Sequence, residues 1–346
     1  MNKNIGLVFI CFVSIVHASD MDEITPYKFD NPSHAPAYDI PASSRFTVPR
    51  AEVDAPDIVY YFSKPREQRY PIAILCTGSS NRDAIFSNML LHRYFLQEFI
   101  DLGAAVLTVE QWGVDGSSID PDIFIEHYTR SQRLQDHREI IEHLKSNPPS
   151  GWDGTLILFG VSEGGPLVTS LTTEYSDMMR ATINWVGAGD WSWNDELWRF
   201  IEVMRKNASW WMKLWDLMPR WMPFAFDLPK TRSEYDVIMN NALENPCVEK
   251  EFMGMTYKYH ADAMTYPAVE YHKIRTPFLV VEGCLDSFID SCDAFVEKAQ
   301  TAGAPITYIR VEDMDHYVRR RPEVVQQSFD WLAEQIHSSR KKEFME

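Results

Sequence analysis

The amino-acid sequence predicts a three-layer α/β fold: a mostly parallel central sheet between two layers of helices, with a helical lid inserted late in the chain. Short apolar runs alternate with helical stretches over residues 45–190, and the alternation returns over residues 266–340. Such alternation is typical of parallel strands joined by crossover helices. Residues 191–265 break the alternation and hold seven of the eleven tryptophans. We interpret them as the lid, inserted where a strand ends and ligands commonly bind.

Apolar runs bounded by turn residues predict the strands of the sheet. In chain order they are RFTVPRAEV, DIVYYFSKP, YPIAILCTG, AAVLTVEQWG, GTLILFG, MRATINWVGAGD, TPFLVVEG and ITYIRVEDMDH. The third run is almost wholly apolar, which is typical of a central strand buried on both faces.

The predicted helices lie between these strands. A capping-box pattern at Ser80–Asp83 predicts the start of the helix AIFSNMLLHRYFLQEFIDLG, and Gly103 predicts its end. Helical patterns follow in SQRLQDHREIIEHLK, GGPLVTSLTTEY and DAFVEKAQTAG. The last helix carries an apolar stripe at i, i+4, i+7 and i+11, formed by Val325, Phe329, Leu332 and Ile336.

The N-terminus has the pattern of a secretory signal peptide over residues 1–18. Lys3 precedes an apolar run from Ile5 to Val16, and small residues then predict cleavage after Ala18. That run is too short for a membrane anchor, which needs roughly 20 residues. We therefore expect a protein exported to the periplasm or secreted, with residues 19–44 as an irregular arm rich in proline and polar residues.

The charge of the chain excludes one class of partner. The formal net charge is −17, so no basic surface is expected to dominate and we predict no nucleic-acid binding. The spacing of cysteine and histidine residues does not suggest zinc, and we predict neither a metal nor a cofactor.

Four cysteines remain after the signal peptide, and an oxidising compartment permits disulfides. Cys284 and Cys292 lie eight residues apart and could close a short loop. Cys76 ends a very apolar strand and is alternatively a buried thiol. Cys247 is the fourth, so three pairings are open.

The sequence Gly160-Val161-Ser162-Glu163-Gly164 lies between a predicted strand and a predicted helix. This G-x-S-x-G pattern is typical of a sharp turn that lifts a nucleophilic serine above the edge of a sheet. Side chains two residues from the serine would collide in such a turn, which explains the glycines. The alternative is a tight turn that needs glycine and has no catalytic role.

A nucleophilic serine needs a base, and the base needs a carboxylate that orients it. His316 and Asp286 each follow a later predicted strand, in the order serine, acid, histidine that this turn predicts. Asp190 and Asp290 are alternative acids.

Two backbone N–H groups should stabilise the oxyanion that forms during acyl transfer. The first candidate is Glu163, the residue after the nucleophile. The second is Ser79, in the loop Thr77-Gly78-Ser79 after the third strand.

At these residues the chain resembles the α/β-hydrolase superfamily, over residues 45–190 and 266–337. It is most similar to lipase-, esterase- and serine-aminopeptidase-like hydrolases with a helical cap. The resemblance implies a catalytic triad of Ser162, Asp286 and His316, and oxyanion donors at Ser79 and Glu163. Many members have His-Gly in the oxyanion loop where this chain has Thr77-Gly78.

The lid sequence is dense in Trp, Met and Phe, which favours three interpretations. It could be an apolar cap over an acyl or aromatic pocket, or a helical subdomain that needs its own core. Lys206, Lys213 and Arg220 lie among the aromatics, so the third is a transient contact with a lipid surface.

We therefore predict an exported serine hydrolase that acts on a small-molecule carboxylic ester with an apolar acyl or aromatic part. One alternative is a serine peptidase or aminopeptidase acting on short peptides, in which Glu163 is a candidate for holding a free amine. The other is a catalytically inactive hydrolase fold that binds a hydrophobic ligand or partner.

Overall fold

The computed structural model describes residues 43–52, 54–82, 84–207 and 228–343, with side chains described as far as His337. The predicted signal peptide, nearly all of the predicted arm, and Lys213 and Arg220 of the lid lie outside the described residues. Among the helices that are described, none combines the length and the apolar character that crossing a bilayer requires.

The described part of the chain forms an eight-stranded sheet. Its strands are β1 (Ser44–Val48), β2 (Ile58–Ser63), β3 (Tyr70–Cys76), β4 (Ala105–Val109), β5 (Trp152–Val161), β6 (Met179–Trp185), β7 (Phe278–Gly283) and β8 (Ile306–Val311). Their order across the sheet is β1-β2-β4-β3-β5-β6-β7-β8. Only the pairs β1–β2 and β2–β4 are antiparallel, and every pair from β4 to β8 is parallel. The predicted fold class is confirmed.

Helices cover both faces of this sheet. The described helices are α1 (Met89–Asp101), α2 (Pro121–His127), α3 (Arg130–Ser146), α4 (Gly164–Glu174), α5 (Trp193–Asn207), α6 (Arg232–Glu244), α7 (Tyr257–Thr265), α8 (Ile289–Thr301) and α9 (Pro322–Glu343). Helices α1 and α9 share one hydrophobic core with one face of the sheet. Helices α3, α4 and α8 pack on the other face. Because successive side chains of a strand point to opposite faces, a central strand covered by helices on both faces is buried along its length, and all seven residues of β3 are buried.

The start of α1 differs from the prediction. The capping box at Ser80–Asp83 placed the start near Ala84, but the helix begins at Met89. Asn81 and Ala84 instead exchange backbone hydrogen bonds in a tight turn, with N···O distances of 3.3 and 3.0 Å. That turn uses the backbone groups that a helix would need. The predicted end holds, since Gly103 follows the helix with a φ of +70°.

The predicted stripe of the last helix is confirmed by burial. Phe329, Leu332 and Ile336 are buried against the sheet, and Val325 packs beside them. Helix α9 therefore belongs to the same helical layer as α1, on one face of the sheet.

The segment predicted as a lid contains α5, α6 and α7, together with a short hairpin of Glu251–Phe252 and Met255–Thr256. Leu197, Ile201, Tyr235 and Met239 form the centre of a hydrophobic cluster within this segment. The segment thus has an apolar core of its own. Its boundaries at residues 191 and 265 stay a prediction.

The four cysteines of the described chain are free thiols, so the considered Cys284–Cys292 disulfide is wrong. Cys292 is buried on α8 and faces Glu282 and Tyr308, whereas Cys284 lies at the end of β7 beside Arg310, with Nη1 2.8 Å from Sγ. Cys76 is a buried thiol, as the alternative interpretation predicted.

Candidate active site

The strand–serine–helix turn is built as its sequence predicts. Strand β5 ends at Val161 and α4 begins at Gly164, so only Ser162 and Glu163 connect them. Ser162 has a φ of +53°, a left-handed conformation that non-glycine residues rarely adopt. Two hydrogen bonds hold it there: its N–H donates to the Trp185 carbonyl at 2.8 Å, and its carbonyl accepts from the Gly165 N–H at 2.8 Å. The strained conformation lifts the hydroxyl above the carboxyl edge of the sheet.

The glycines around Ser162 are sterically required. A Cβ atom at Gly160 would lie 2.6 Å from a methyl group of Val168 and 2.7 Å from the Gly164 carbonyl. A Cβ atom at Gly164 would overlap the Cys76 carbonyl. Sequence reasoning missed one further glycine, Gly187, where a Cβ atom would overlap the carbonyl of Ser162 itself.

The structure brings Ser162, His316 and Asp286 into one hydrogen-bonded chain. Asp286 follows β7 and His316 follows β8, so both reach the same edge of the sheet as the serine. The Ser162 hydroxyl lies 2.8 Å from Nε2 of His316, and Nδ1 of His316 lies 2.5 Å from Oδ2 of Asp286. The other carboxylate oxygen, Oδ1, accepts the Phe288 N–H at 3.1 Å, which fixes its orientation.

The two titratable partners shift each other in opposite directions. Burial by itself lowers the pKa of His316, but the charge and the hydrogen bond of Asp286 outweigh it, so the pKa lies above its ordinary value. Burial by itself raises the pKa of Asp286, but the adjacent imidazolium lowers it below its usual range. The pair therefore favours an ionised carboxylate that stabilises a protonated imidazole.

A second carboxyl group lies behind the acid. Glu282 is completely buried at the end of β7, and its Oε1 accepts the Gly283 N–H at 3.0 Å. Burial and the neighbouring Asp286 carboxylate raise the pKa of Glu282 well above its ordinary value, which favours its neutral form beside the charged one. The sequence carried no signal for it, because a glutamate in an apolar strand has no pattern of its own.

The two alternative acids are engaged elsewhere. Asp190 lies 2.6 Å from the Lys298 ammonium and accepts the Tyr271 hydroxyl at 2.5 Å. Asp290 pairs with Arg199 at 2.9 Å on the surface. Asp286 is therefore the acid that the structure brings to His316.

The loop after β3 lies against the nucleophile. A Cβ atom at Gly78 would be 3.2 Å from the Cβ atom of Ser162, so the loop packs on the serine itself. The Ser80 N–H donates to the Tyr128 hydroxyl at 2.9 Å and is not free. Among the described loops and turns, the N–H groups of Ser79 and Glu163 donate no backbone hydrogen bond. Their use as oxyanion donors stays a prediction.

The Glu163 side chain occupies a fully buried polar cluster on the other side of the turn. Its carboxylate accepts the hydroxyls of Tyr128, at 3.0 Å, and of Tyr259 on α7. Two arginines of α3 complete the cluster, with Arg130 Nε at 3.3 Å and Arg133 Nη1 at 3.7 Å from its oxygens. These four protein groups already engage the carboxylate, which does not favour its interpretation as a holder of a substrate amine. No sequence motif marks the four partners, which meet only in the folded chain.

The strand order and the serine turn define the class of this protein as an α/β-hydrolase. Residues 88–317 match the family described as "Serine aminopeptidase, S33". The match covers more than half of the chain, and the chain belongs to this family. No curated protein matches the sequence.

Solved structures share the fold at low identity. A fungal esterase from Rhizomucor miehei has a TM-score of 0.55 and 15% identity, over 91% of this chain and 88% of its own. The bacterial brefeldin A esterase, described as a homologue of human hormone sensitive lipase, has a TM-score of 0.51 and 16% identity, over 97% and 86%.

A peptidase shares the fold as well. The acylaminoacyl peptidase of Pyrococcus horikoshii has a TM-score of 0.52 and 14% identity, over 86% of this chain. This chain spans only 41% of the length of that peptidase. Identities this low show a common fold and nothing about substrate.

Proposed function

We propose that this chain is a serine hydrolase that cleaves carboxylic esters with an apolar acyl or aromatic part. The observation that carries the proposal is the hydrogen-bonded chain from Ser162 through His316 to Asp286, with distances of 2.8 and 2.5 Å. A serine hydroxyl becomes an effective nucleophile when an adjacent base can take its proton.

In the proposed acylation step, the Ser162 oxygen attacks the ester carbonyl while Nε2 of His316 takes the hydroxyl proton. The imidazolium that forms is stabilised by Asp286, which receives the Nδ1–H hydrogen bond. The N–H groups of Ser79 and Glu163 are the proposed donors to the oxyanion of the tetrahedral intermediate. Collapse of this intermediate expels the alcohol, which takes its proton from His316.

In the proposed deacylation step, water replaces the alcohol. His316 takes a proton from the attacking water, the tetrahedral oxyanion forms again at the same donors, and the acid leaves as Ser162 recovers its proton. The two half-reactions use the same residues in the same roles.

Two observations bear on the choice between ester and peptide. An aminopeptidase needs a carboxylate that holds the substrate amine, and Glu163, the nearest one by sequence, is fully engaged with two tyrosines and two arginines. This favours the ester. The family description and the peptidase among the similar structures support a serine peptidase as the second candidate.

The first test is a fluorophosphonate probe applied to the wild type and to Ser162→Ala. We expect labelling of the wild type alone, since the probe reacts with an activated serine. Labelling of both proteins, or of neither, contradicts the assignment, and the second outcome supports an inactive fold that binds a ligand. A panel of p-nitrophenyl esters against aminoacyl anilides then separates esterase from peptidase.

Export to the periplasm or the exterior belongs to the proposal as well. It is supported by the signal-peptide pattern of residues 1–18. Expression of the full chain with N-terminal sequencing of the exported product tests it, and the expected first residue is Ser19. Transient contact of the lid with lipid is a weaker part of the proposal, tested by sedimentation with anionic vesicles.

A further inference from the structure

The hydroxyl of Tyr128 joins the two backbone segments that carry the proposed oxyanion donors. It accepts the Ser80 N–H at 2.9 Å and donates to Oε2 of Glu163 at 3.0 Å. Ser80 is the residue after Ser79, and Glu163 is the residue after the nucleophile. One oxygen atom is thus hydrogen-bonded to both sides of the proposed oxyanion hole.

The tyrosine is itself held rigidly. Tyr128 directly follows the last residue of α2, and its ring stacks on Phe124, at 4.6 Å between ring centroids, and on Tyr259, at 5.4 Å. The residue is buried, and burial together with the Glu163 carboxylate raises the pKa of its hydroxyl above the ordinary range. The hydroxyl therefore keeps its proton and stays a donor to Glu163 at all working pH values.

A second link runs parallel to the first. Arg133 on α3 donates from Nη2 to the Thr77 carbonyl at 2.7 Å, while its Nη1 lies 3.7 Å from the Glu163 carboxylate. Arg130 and the Tyr259 hydroxyl hold the same carboxylate from α3 and α7. The Glu163 carboxylate is thus held by side chains of α3 and α7, and Arg133 connects it to the loop after β3.

We propose that Tyr128 is a positioning residue that sets the distance between the two oxyanion donors. This inference rests on the proposed function. Oxyanion donors act within about 2.7–3.1 Å of the developing charge, so a small change in their separation weakens the transition state more than the bound substrate. The Tyr128 hydroxyl is hydrogen-bonded to the Ser80 backbone and to the Glu163 side chain, so its effect on catalysis would act through these two groups.

The test compares Tyr128→Phe with Tyr235→Phe on a p-nitrophenyl ester. Both changes remove one buried hydroxyl and keep the ring, and the Tyr235 hydroxyl donates to the Asn194 carbonyl at 2.9 Å inside the lid segment. For Tyr128→Phe we expect kcat to fall about 10- to 100-fold with KM within about threefold, less than loss of a whole donor. A trifluoromethyl ketone, which forms a tetrahedral adduct with the serine, should lose affinity by the same factor. Tyr235→Phe should change neither quantity.

Three results would overturn the inference: kcat of Tyr128→Phe within threefold of wild type, a change in KM alone, or an equal loss in Tyr235→Phe. If Tyr128→Phe does not fold by circular dichroism, the comparison uses Glu163→Gln, and unchanged ketone affinity in that variant overturns it as well. Failure of the proposed function is separate, because it appears as absent esterase activity and absent fluorophosphonate labelling in the wild type.

Discussion

Two polar clusters flank Ser162, and they differ in what they can do. On one side, His316 joins the serine to Asp286, and its side chain is 33% exposed. On the other side, Glu163 lies in a buried cluster with Tyr128, Tyr259 and the arginines of α3. The first cluster contains a base whose proton can move near neutral pH. The second is buried and joins its groups to one another through hydrogen bonds and ion pairs.

The difference indicates that the two clusters beside Ser162 have different functions, one in proton transfer and the other in positioning. Proton transfer needs a group that is accessible and titrates near the working pH, whereas positioning needs groups that are buried and do not change state. In the second cluster, three hydrogen bonds from Tyr128, Tyr259 and Arg130 restrain the Glu163 carboxylate. Within the described residues, Nε and Nη1 of Arg133 donate no hydrogen bond, so this guanidinium adds an ion pair and not a further hydrogen bond to Glu163. The predictions that follow test whether each side has the role assigned to it.

The largest expected effect comes from removing the charge of the acid in the accessible cluster. Asp286→Asn keeps the shape of the side chain but cannot stabilise the imidazolium, and it favours the wrong tautomer of His316. We expect kcat/KM for a p-nitrophenyl ester to fall by about 10⁴-fold.

Asp190→Asn is the matched control, since its carboxylate pairs with Lys298 and Tyr271 away from His316. It should stay within about threefold of wild type, as expected for a group outside the hydrogen-bonded chain. A full rate in Asp286→Asn together with loss in Asp190→Asn would mean that the acid is misassigned.

A smaller effect, and one on stability more than on rate, is expected in the buried cluster. Tyr259→Phe removes the hydroxyl that α7 donates to the Glu163 carboxylate, and leaves the ring stacked on Tyr128. A hydrogen bond to a buried charge contributes about 1.5–3 kcal/mol, so the free energy of unfolding should fall by that amount.

Urea unfolding measures this loss, again with Tyr235→Phe for comparison. The Tyr235 hydroxyl donates to a neutral carbonyl, so the loss there should be about 1 kcal/mol. Equal losses in the two variants would contradict the view that α7 is held by the charge of Glu163.

The two clusters also differ in how far the sequence predicts them. Ser162, Asp286 and His316 each follow a strand, and strand ends can be located from apolar runs and turn residues alone. Their meeting at one edge then follows from the topology of a parallel sheet. The glycines beside the serine also indicate the position of the nucleophile, since the sharp turn requires them.

The buried cluster has no such pattern. Tyr128 directly follows one helix, Tyr259 lies in another about 130 residues later, and neither belongs to a recognisable motif. Local patterns also fail where a tertiary contact competes with them. Ser80 belongs to a capping box by sequence, yet its N–H goes to Tyr128 and the helix starts at Met89.

The smallest expected effect concerns how labelling rate and stability depend on pH. It should distinguish the His316–Asp286 cluster from the Glu163 cluster. The pKa of His316 is raised chiefly by Asp286, with a further contribution from Asp315, against the opposing effect of burial. The reaction needs the neutral imidazole, so the rate of fluorophosphonate labelling should rise with pH through a midpoint above about 6.5, the ordinary value for histidine. The stability contributed by His316 changes with pH in the opposite direction to the labelling rate. A raised folded-state pKa stabilises the fold fully below about 6.5, and this contribution is lost as pH rises through the folded-state value.

The melting temperature of the wild type and of His316→Ala, recorded as a function of pH, measures this contribution of His316 to stability. We expect the difference between the two proteins to shrink across the same pH range in which labelling switches on. Tyr259→Phe should lower the melting temperature by a constant amount over that range, because the pKa values of Tyr259 and Arg130 are both raised further from neutrality. A pH-dependent loss in Tyr259→Phe would mean that the buried cluster also exchanges protons, and the division between a proton-moving side and a positioning side would not hold.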